Sequence, residues 1–553
     1  MYRKYLERSE FDSYEDFYNN FKLLTPHDFN FAFDVADAYA DEKPDKLALL
    51  WVNDADPEMR YTFGDLKNLS NRAANYFTGL GIKKGDFVML ILKQRYEYWV
   101  CVLALHKIGA IAIPATHLLT EKDIVFRNNA AGIKMIITVD DAQVACNVDA
   151  AQSESETLKI KMTLSMRRDG WLTYYDGIEN ASAVFDRPGG EGRTCIDDPM
   201  LLYFTSGTSG MPKMVIHTYE YALDHLITAK YWHNVGEDEF HLTLADSGWG
   251  KFAWGKLYGQ WLCGAAVFAY DYEKFVAANV LKAIEKYDVA TFCAPPTVYR
   301  FFIKEDLSAY NFKKLRYCTI AGEPLNPEVY YQFLKATGIK LHEGYGQTET
   351  VLQIANFVFN EPKPGSMGKP SPLYKVYIAD ENGAPCDPGV KGEIVLRINE
   401  GGKNLALFTG YFKDEALTAE TIRGGLYHTG DVAWADEDGY IWFDGRKDDV
   451  IKSSGYRIGP FEVESALVTH PAVLECAITA VPHPDRGQVV KATVVLAKGY
   501  TASNELAVEL QNHVKKVTAP YKYPRIVEFK DELPKNIAGK IRRVEIREHD
   551  AKK

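Results

Sequence analysis

The chain predicts a mixed fold, α/β and α+β. It expects a large N-terminal domain of two parallel-rich α/β sheets plus a small β-barrel-like part, then a small mobile α+β C-terminal domain. Three observations lead there. Residues 62–140 and 201–341 alternate short apolar runs with helical patterns, as parallel strands covered on both faces do. From 363 to 443 the texture changes to short strands joined by turns. A charged junction, Asp444-Gly445-Arg446-Lys447-Asp448-Asp449, then precedes a C-terminal stretch with its own mixed pattern.

Taken in order, Thr62-Phe63-Gly64-Asp65-Leu66 opens a helix that runs towards Leu80. Residues 87–92 are an apolar run between polar boundaries, 98–109 read as a helix, and 110–114 and 135–139 as strands. The second stretch carries strands at 240–245, 265–269, 290–293 and 317–321. Residues 376–379, the turn Asp380-Glu381-Asn382-Gly383 and 392–396 read as antiparallel hairpins, with Asn-Gly the turn signal. Beyond the junction, 475–481 and 491–496 are strands and 502–517 a helix. The boundary falls near Lys447, giving domains 1–446 and 447–553.

Composition narrows the function. At 553 residues the chain exceeds what one core serves. A net charge of −11 argues against a nucleic-acid binder, so anionic substrates would need local positive potential. Eight scattered cysteines without CxxC spacing read as reduced thiols of a cytoplasmic protein. The first residues, Met1-Tyr2-Arg3-Lys4-Tyr5-Leu6-Glu7-Arg8, lack the apolar centre of a targeting segment. No run approaches 18 apolar residues, so no membrane span is expected. The oligomeric state is left open.

Chemistry gathers first at Thr205-Ser206-Gly207-Thr208-Ser209-Gly210-Met211-Pro212-Lys213, which follows the apolar strand 200–204. Its glycines let backbone N–H groups approach an anion, and its hydroxyls add donors. It is not a Walker loop, because Pro212 stands where that motif has its second Gly. Far downstream, Lys540 follows Gly539 as a cation on a long stem.

Tyr203 to Lys213 resembles the phosphate loop of the adenylate-forming superfamily of acyl-CoA synthetases, luciferases and adenylation domains. Further signatures follow in order: Gly322-Glu323-Pro324, Gly344-Tyr345-Gly346-Gln347-Thr348-Glu349, Tyr427-His428-Thr429-Gly430-Asp431, Gly445 to Asp449, Ser454-Gly455-Tyr456-Arg457-Ile458, and Gly539-Lys540. Together they cover residues 40 to 545, and seven in order are highly specific.

The resemblance implies a role for each. Thr205, Ser206, Gly207, Thr208, Ser209, Gly210 and Lys213 hold phosphates, and Gly322, Glu323 and Pro324 lie beside adenine. Tyr345 offers a flat face for adenine, with Gly344, Gly346 and Gln347 around it. Thr348 donates to the α-phosphate and Glu349 suits Mg²⁺. Asp431 accepts the ribose hydroxyls, supported by Arg446. In the first half-reaction a carboxylate attacks the α-phosphorus of ATP, with Lys540 bridging the two. The small domain then turns about hinge Asp448 and a thiol attacks the acyl-adenylate.

Coenzyme A is the expected thiol. Residues 513–547 hold ten Lys or Arg against four acids, a local +6 suited to its anionic nucleotide. By resemblance Arg457, Arg486 and Lys515 contact it, while Ser454, Gly455 and Tyr456 line the pantetheine side. Residues 454–464 and 517–525 look most like medium-chain acyl-CoA synthetases. Acetyl-CoA synthetases carry Trp where this chain has Gly346, so the acyl pocket is expected open there, with Trp249 to Trp254 as the opposite wall. The expectation is a short- or medium-chain, branched or aryl acid and a place in fatty acid metabolism. The alternative is an adenylation enzyme loading a carrier protein in trans; a luciferase-like oxygenase and an acyl-nucleotide sensor are further rivals.

Overall fold

The computed structural model describes residues 1–205, 212–399, 404–447, 449–453, 456–484, 486–535 and 541–551. Four sheets order them. A seven-stranded sheet runs, edge to edge, Leu172–Thr173, Ile160–Thr163, Ile133–Thr138, Phe87–Ile91, Ile111–Pro114, Pro199–Thr205 and Lys213–Thr218. It is parallel until its last pair, where the two strands flanking the phosphate loop form a hairpin that sets Thr205 opposite Lys213.

A nine-stranded sheet places Phe240–Thr243, Val289–Ala294, Tyr317–Ile320 and Leu341–Gly346 side by side and parallel. Their carboxyl ends share one edge, where open α/β sheets bind ligands. Between the two sheets lies helix Glu97–Ile108, all of whose twelve residues are buried. Most of its residues are apolar, and its charged members are paired, Glu97 with Arg95 and Lys107 with Asp37. Helix Phe63–Gly79 packs beside it and begins with a capping box between Thr62 and Asp65.

The barrel-like part is a five-stranded antiparallel sheet containing Lys375–Ala379, Gly392–Arg397, Leu426–Ala435 and Ile441–Arg446. Asn382-Gly383 does turn the chain, with Gly383 at φ 82°, but the small hairpin it closes pairs Ala379 with Pro385. As expected, Lys375–Ala379 pairs antiparallel along its full length with Gly392–Arg397.

The last sheet holds Ile451–Ser453, Tyr456–Ile458, Val473–His483, Gly487–Leu496 and Ile526–Phe529, with its own core against helices Pro460–Val468 and Asn504–Val517. Helix Pro460–Val468 leans on strand Ile441–Arg446, where the Phe443 and Phe461 rings stand 6.4 Å apart. No helix among the described residues is long and apolar enough to cross a membrane.

Candidate active site

The centre of the site is Asp431, 4% exposed in the middle of strand Leu426–Ala435. Its Oδ2 accepts from the Tyr345 hydroxyl at 2.5 Å and from Gln347 Nε2 at 2.8 Å, and Arg446 Nε stands 3.4 Å from Oδ1. Antiparallel pairing sets Asp431 directly opposite Arg446. Gln347 is held from behind, accepting from the Tyr427 hydroxyl at 2.6 Å and donating to Thr429 O at 2.9 Å. Motifs 84 and 86 positions apart thus meet at one carboxylate. The Tyr345 hydroxyl is spent on Asp431, which fixes the ring; burial and that carboxylate push its pKa far up.

The phosphate side lies next to this. Glu349 Oε1 accepts from the Tyr411 hydroxyl at 2.7 Å, and Lys213 Nζ lies 5.1 Å from the centre of the same ring. Thr348 is anchored through its carbonyl by His217 Nε2 at 2.7 Å, which ties strand Lys213–Thr218 to the end of Leu341–Gly346. Burial draws the His217 pKa down to about 4, so it is neutral. Lys213 and Glu349 therefore share the Tyr411 ring, and the paired Thr205 and Lys213 belong to the hairpin that His217 ties to Thr348. Glu349 could serve as a carboxylate ligand for Mg²⁺, because that ion takes one or two carboxylates and fills its remaining positions with phosphate oxygens and water.

On the adenine side, Gly322 has φ 102°, a left-handed conformation that favours glycine. Glu323 accepts from Thr297 Oγ1 at 3.2 Å, with Arg300 3.8 Å away, and Pro324 leads to Leu325. Leu325 N–H donates to Glu343 Oε1 at 3.4 Å. Glu343 was not among the residues singled out from sequence. Burial raises its pKa to about 8, and its Oε2 has no partner. It stands two residues before Tyr345 on the same strand face, and that spacing was the available signal.

The acyl side differs from the expected opening. A Cβ on Gly346 would lie 2.5 Å from Cη2 of Trp254 and 2.2 Å from Val351 O. The space that Gly346 leaves is therefore filled by the Trp254 ring rather than open. Trp254 meets Trp232 edge-on, centroids 6.3 Å apart, and a Cβ on Gly344 would lie 2.5 Å from Trp232 Cζ2. Trp249 stands half-buried just before helix Gly250–Lys256, whose first residue abuts Thr348. On that helix Lys251 reaches Ala321 O at 2.8 Å, and burial lowers its pKa. Sequence reasoning missed Trp232 and Lys251, because only packing brings them here.

The thiol side is also sharper than the +6 count. Lys522 pairs with Glu462, Lys530 with Glu528, Lys535 with Glu475, Arg542 with Glu545, Arg543 with Glu464, and Arg547 with Asp449. Six of the ten cations are thus neutralised, mostly by acids outside the counted segment. Lys515 and Arg525 instead flank the Tyr523 ring, at 4.2 and 4.8 Å. Tyr456, 50% exposed, stacks on Tyr521 at 4.2 Å. Ser453 pairs with both Tyr456 and Gly487, which brings Arg486 to the same sheet end.

Ser206, Gly207, Thr208, Ser209, Gly210, Asp448, Ser454, Gly455 and Lys540 lie outside the described residues, as does the side chain of Arg457.

Comparison with known proteins agrees with this geometry. A family model described as AMP-binding enzyme matches residues 36–412, and one described as AMP-binding enzyme C-terminal domain matches 462–540. The chain is 43% identical over 554 residues to acyl-coenzyme A synthetase ACSM3, mitochondrial, of Mus musculus, covering 98% of this chain and 94% of that protein. It is 44% identical to acyl-coenzyme A synthetase ACSM4, mitochondrial, of Homo sapiens, covering 95% and 91%. Among solved structures, an acyl-CoA synthetase of Brucella canis matches at 32% identity and TM-score 0.74 over 98% of this chain and 99% of that one. The anthranilate CoA ligase AuaEII, in complex with anthranoyl-AMP, matches at 28% identity and TM-score 0.85 over 95% and 98%.

Proposed function

The chain belongs to the AMP-binding enzymes, and from that premise we propose that it is an AMP-forming acid–CoA ligase acting on a short- or medium-chain, branched or aryl carboxylic acid. The observation that carries the reading is the convergence of Tyr345, Gln347 and Arg446 on Asp431, with Glu349, Thr348 and Lys213 alongside. A nucleoside bound there presents its α-phosphate to Thr348.

The first step forms a bond between the acid's oxygen and the α-phosphorus and breaks the bond to the β-phosphate oxygen. Pyrophosphate leaves towards Lys213 and the loop after Thr205. Arg446 stands beside Asp431, whose carboxylate accepts the ribose hydroxyls, and Gln347 fixes that carboxylate's orientation by donating to it. Mg²⁺, when bound at Glu349, supplies charge neutralisation for the phosphates. Lys540 supplies a cation to the attacking oxygen and the α-phosphate. In the second step the thiol sulfur of coenzyme A attacks the acyl carbonyl, and AMP leaves. We place the nucleotide of coenzyme A over Lys515, Arg525 and Tyr523, and its pantetheine along Tyr456 and Arg486.

Support for a compact acid comes from the Trp232–Trp254 wall, whose two rings fill the space beside Gly344 and Gly346. The names of the relatives, acyl-coenzyme A synthetases, favour coenzyme A over a carrier protein as acceptor. Pyrophosphate release and acyl-CoA formation, measured over C2 to C12 acids, branched acids and benzoate, test the proposal. Acyl transfer to a carrier protein but not to coenzyme A would overturn it. We further propose a role in fatty acid metabolism and a cytoplasmic location. The free thiols of all eight cysteines support the latter, while the named relatives are mitochondrial; cell fractionation decides.

A further inference from the structure

We infer that the N-terminal segment, residues 1–24, is a positioning element for the acyl wall, and that it sets which acids the enzyme accepts. The inference rests on the acid–CoA ligase reading of the site. The segment lies before residue 36, where the match to the AMP-binding family model begins.

It folds as a closed clasp. Leu6 pairs with Leu23, Glu7 N–H donates to Lys22 O at 3.1 Å, and Leu24 N–H donates to Tyr5 O at 2.8 Å. Helix Tyr14–Asn20, capped by the Ser13 side chain, sits inside that loop. Its inward residue Phe17 is fully buried and meets Tyr231 at 4.8 Å, Phe357 at 5.2 Å and Phe359 at 4.9 Å. Phe11 and Phe21 add ring contacts to Tyr231 at 5.8 and 5.7 Å. The Tyr231 hydroxyl donates to Ser9 O at 2.9 Å, and Val358 N–H donates to Tyr231 O at 2.9 Å. Tyr14 reaches Pro370 O at 2.8 Å.

Tyr231 is held on four sides, and the next residue is Trp232. Both stand in a π-helical turn, Ile227–Trp232, a wide backbone form that needs outside support and recurs at functional sites. Trp232 Nε1 donates to His342 O at 3.2 Å, and its ring fills the space beside Gly344 and faces Trp254. The clasp therefore grips the residue before the wall. It also grips the strand end at 357–359, which continues from the strand antiparallel to the one bearing Tyr345. The clasp's ring contacts and hydrogen bonds run to Tyr231, residues 357–359 and Pro370, so its influence should fall on the acid more than on the nucleotide.

Two variants of the full chain test this. Tyr231→Phe removes only the hydroxyl bond to Ser9, and Phe11→Leu replaces a ring that meets Phe17, Phe21, Tyr231 and Phe359 while keeping an apolar side chain there. In each, the KM for the preferred acid should rise about fivefold, the loss of one modest contact. KM for ATP should stay constant, and the acid preference should move towards bulkier chains. Hydrogen exchange of peptides over 227–235 and 341–355 should quicken, while peptides over 133–163 stay unchanged. The exchange readout needs no turnover, so an inactive parent enzyme would refute the proposed function and still leave the coupling measurable. Unchanged exchange at 227–235 would overturn the inference. So would quickened exchange with acid and ATP KM values both unmoved, or both raised together.

Discussion

Glu343 carries the clearest pH signature of any residue at the site. Its folded pKa of about 8 lies above the ordinary 4.5, so folding favours the protonated form. Below about pH 4.5 both states bind the proton and that contribution is fully present; it falls as pH rises through 8, because the unfolded chain has already lost the proton. Glu343→Gln should flatten the decline in urea-unfolding free energy between pH 5 and 8, and an equally steep decline would contradict the assignment. At the acyl wall, Trp254→Ala removes the ring that occupies the space beside Gly346. It should raise kcat/KM for octanoate relative to butyrate by about tenfold, and an unchanged C2 to C12 profile would refute it. Trp254 was legible in the sequence as a pocket wall, while Glu343 shows what a sequence withholds. Tyr345, Glu349 and Asp431 announce themselves through the company they keep, whereas Glu343, Lys251 and Trp232 belong to no motif and acquire meaning only by burial and contact.

The elements were more legible than the contacts between them. The helix expected at 98–109 is observed as Glu97–Ile108, and the strand at 240–245 as Phe240–Thr243, because apolar periodicity with clear punctuation survives tertiary context. The Asn382-Gly383 turn and the antiparallel partner expected at 392–396 are both observed, because turn chemistry and β-rich runs are local signals. The clasp at 1–24 was not read as structure at all. Its aromatic spacing is irregular, and its partners lie more than two hundred positions away. Helix Asn504–Val517 shows the same gap between count and contact. Lys515 on that helix is available to an anionic ligand, and so is Arg525 beside it. Lys515→Ala combined with Arg525→Ala should raise KM for coenzyme A about tenfold through the loss of two charge-assisted contacts. Lys530→Ala, already paired with Glu528, should change it little. Equal effects in steady-state kinetics would refute that division.

For the molecule as a whole, the parallel sheets supply rigid strand ends, and the antiparallel sheet brings Asp431 to them. The final hundred or so residues form a separate core, which meets the rest of the described residues at Phe443–Phe461 and through Asn326 donating to Ser465 O. On the proposed mechanism Lys540 serves the first half-reaction alone. Lys540→Ala should slow adenylate formation by about 10²- to 10³-fold while largely sparing thioester formation from supplied acyl-adenylate. Equal loss in both, measured by pyrophosphate release and by thioester yield, would contradict alternation of the small domain about Asp448.

The pairing of six C-terminal cations with neighbouring carboxylates has a consequence for ionic strength. A docking face bearing all ten positive charges would hold coenzyme A by long-range attraction and release it steeply as salt screens the field, over roughly 10 Å at 0.1 M. With six charges cancelled in place, capture falls to a few short-range contacts around Tyr523. Such an enzyme should keep its affinity for coenzyme A across a broad span of salt concentrations, its docking governed by fit at close quarters rather than by the reach of its charge.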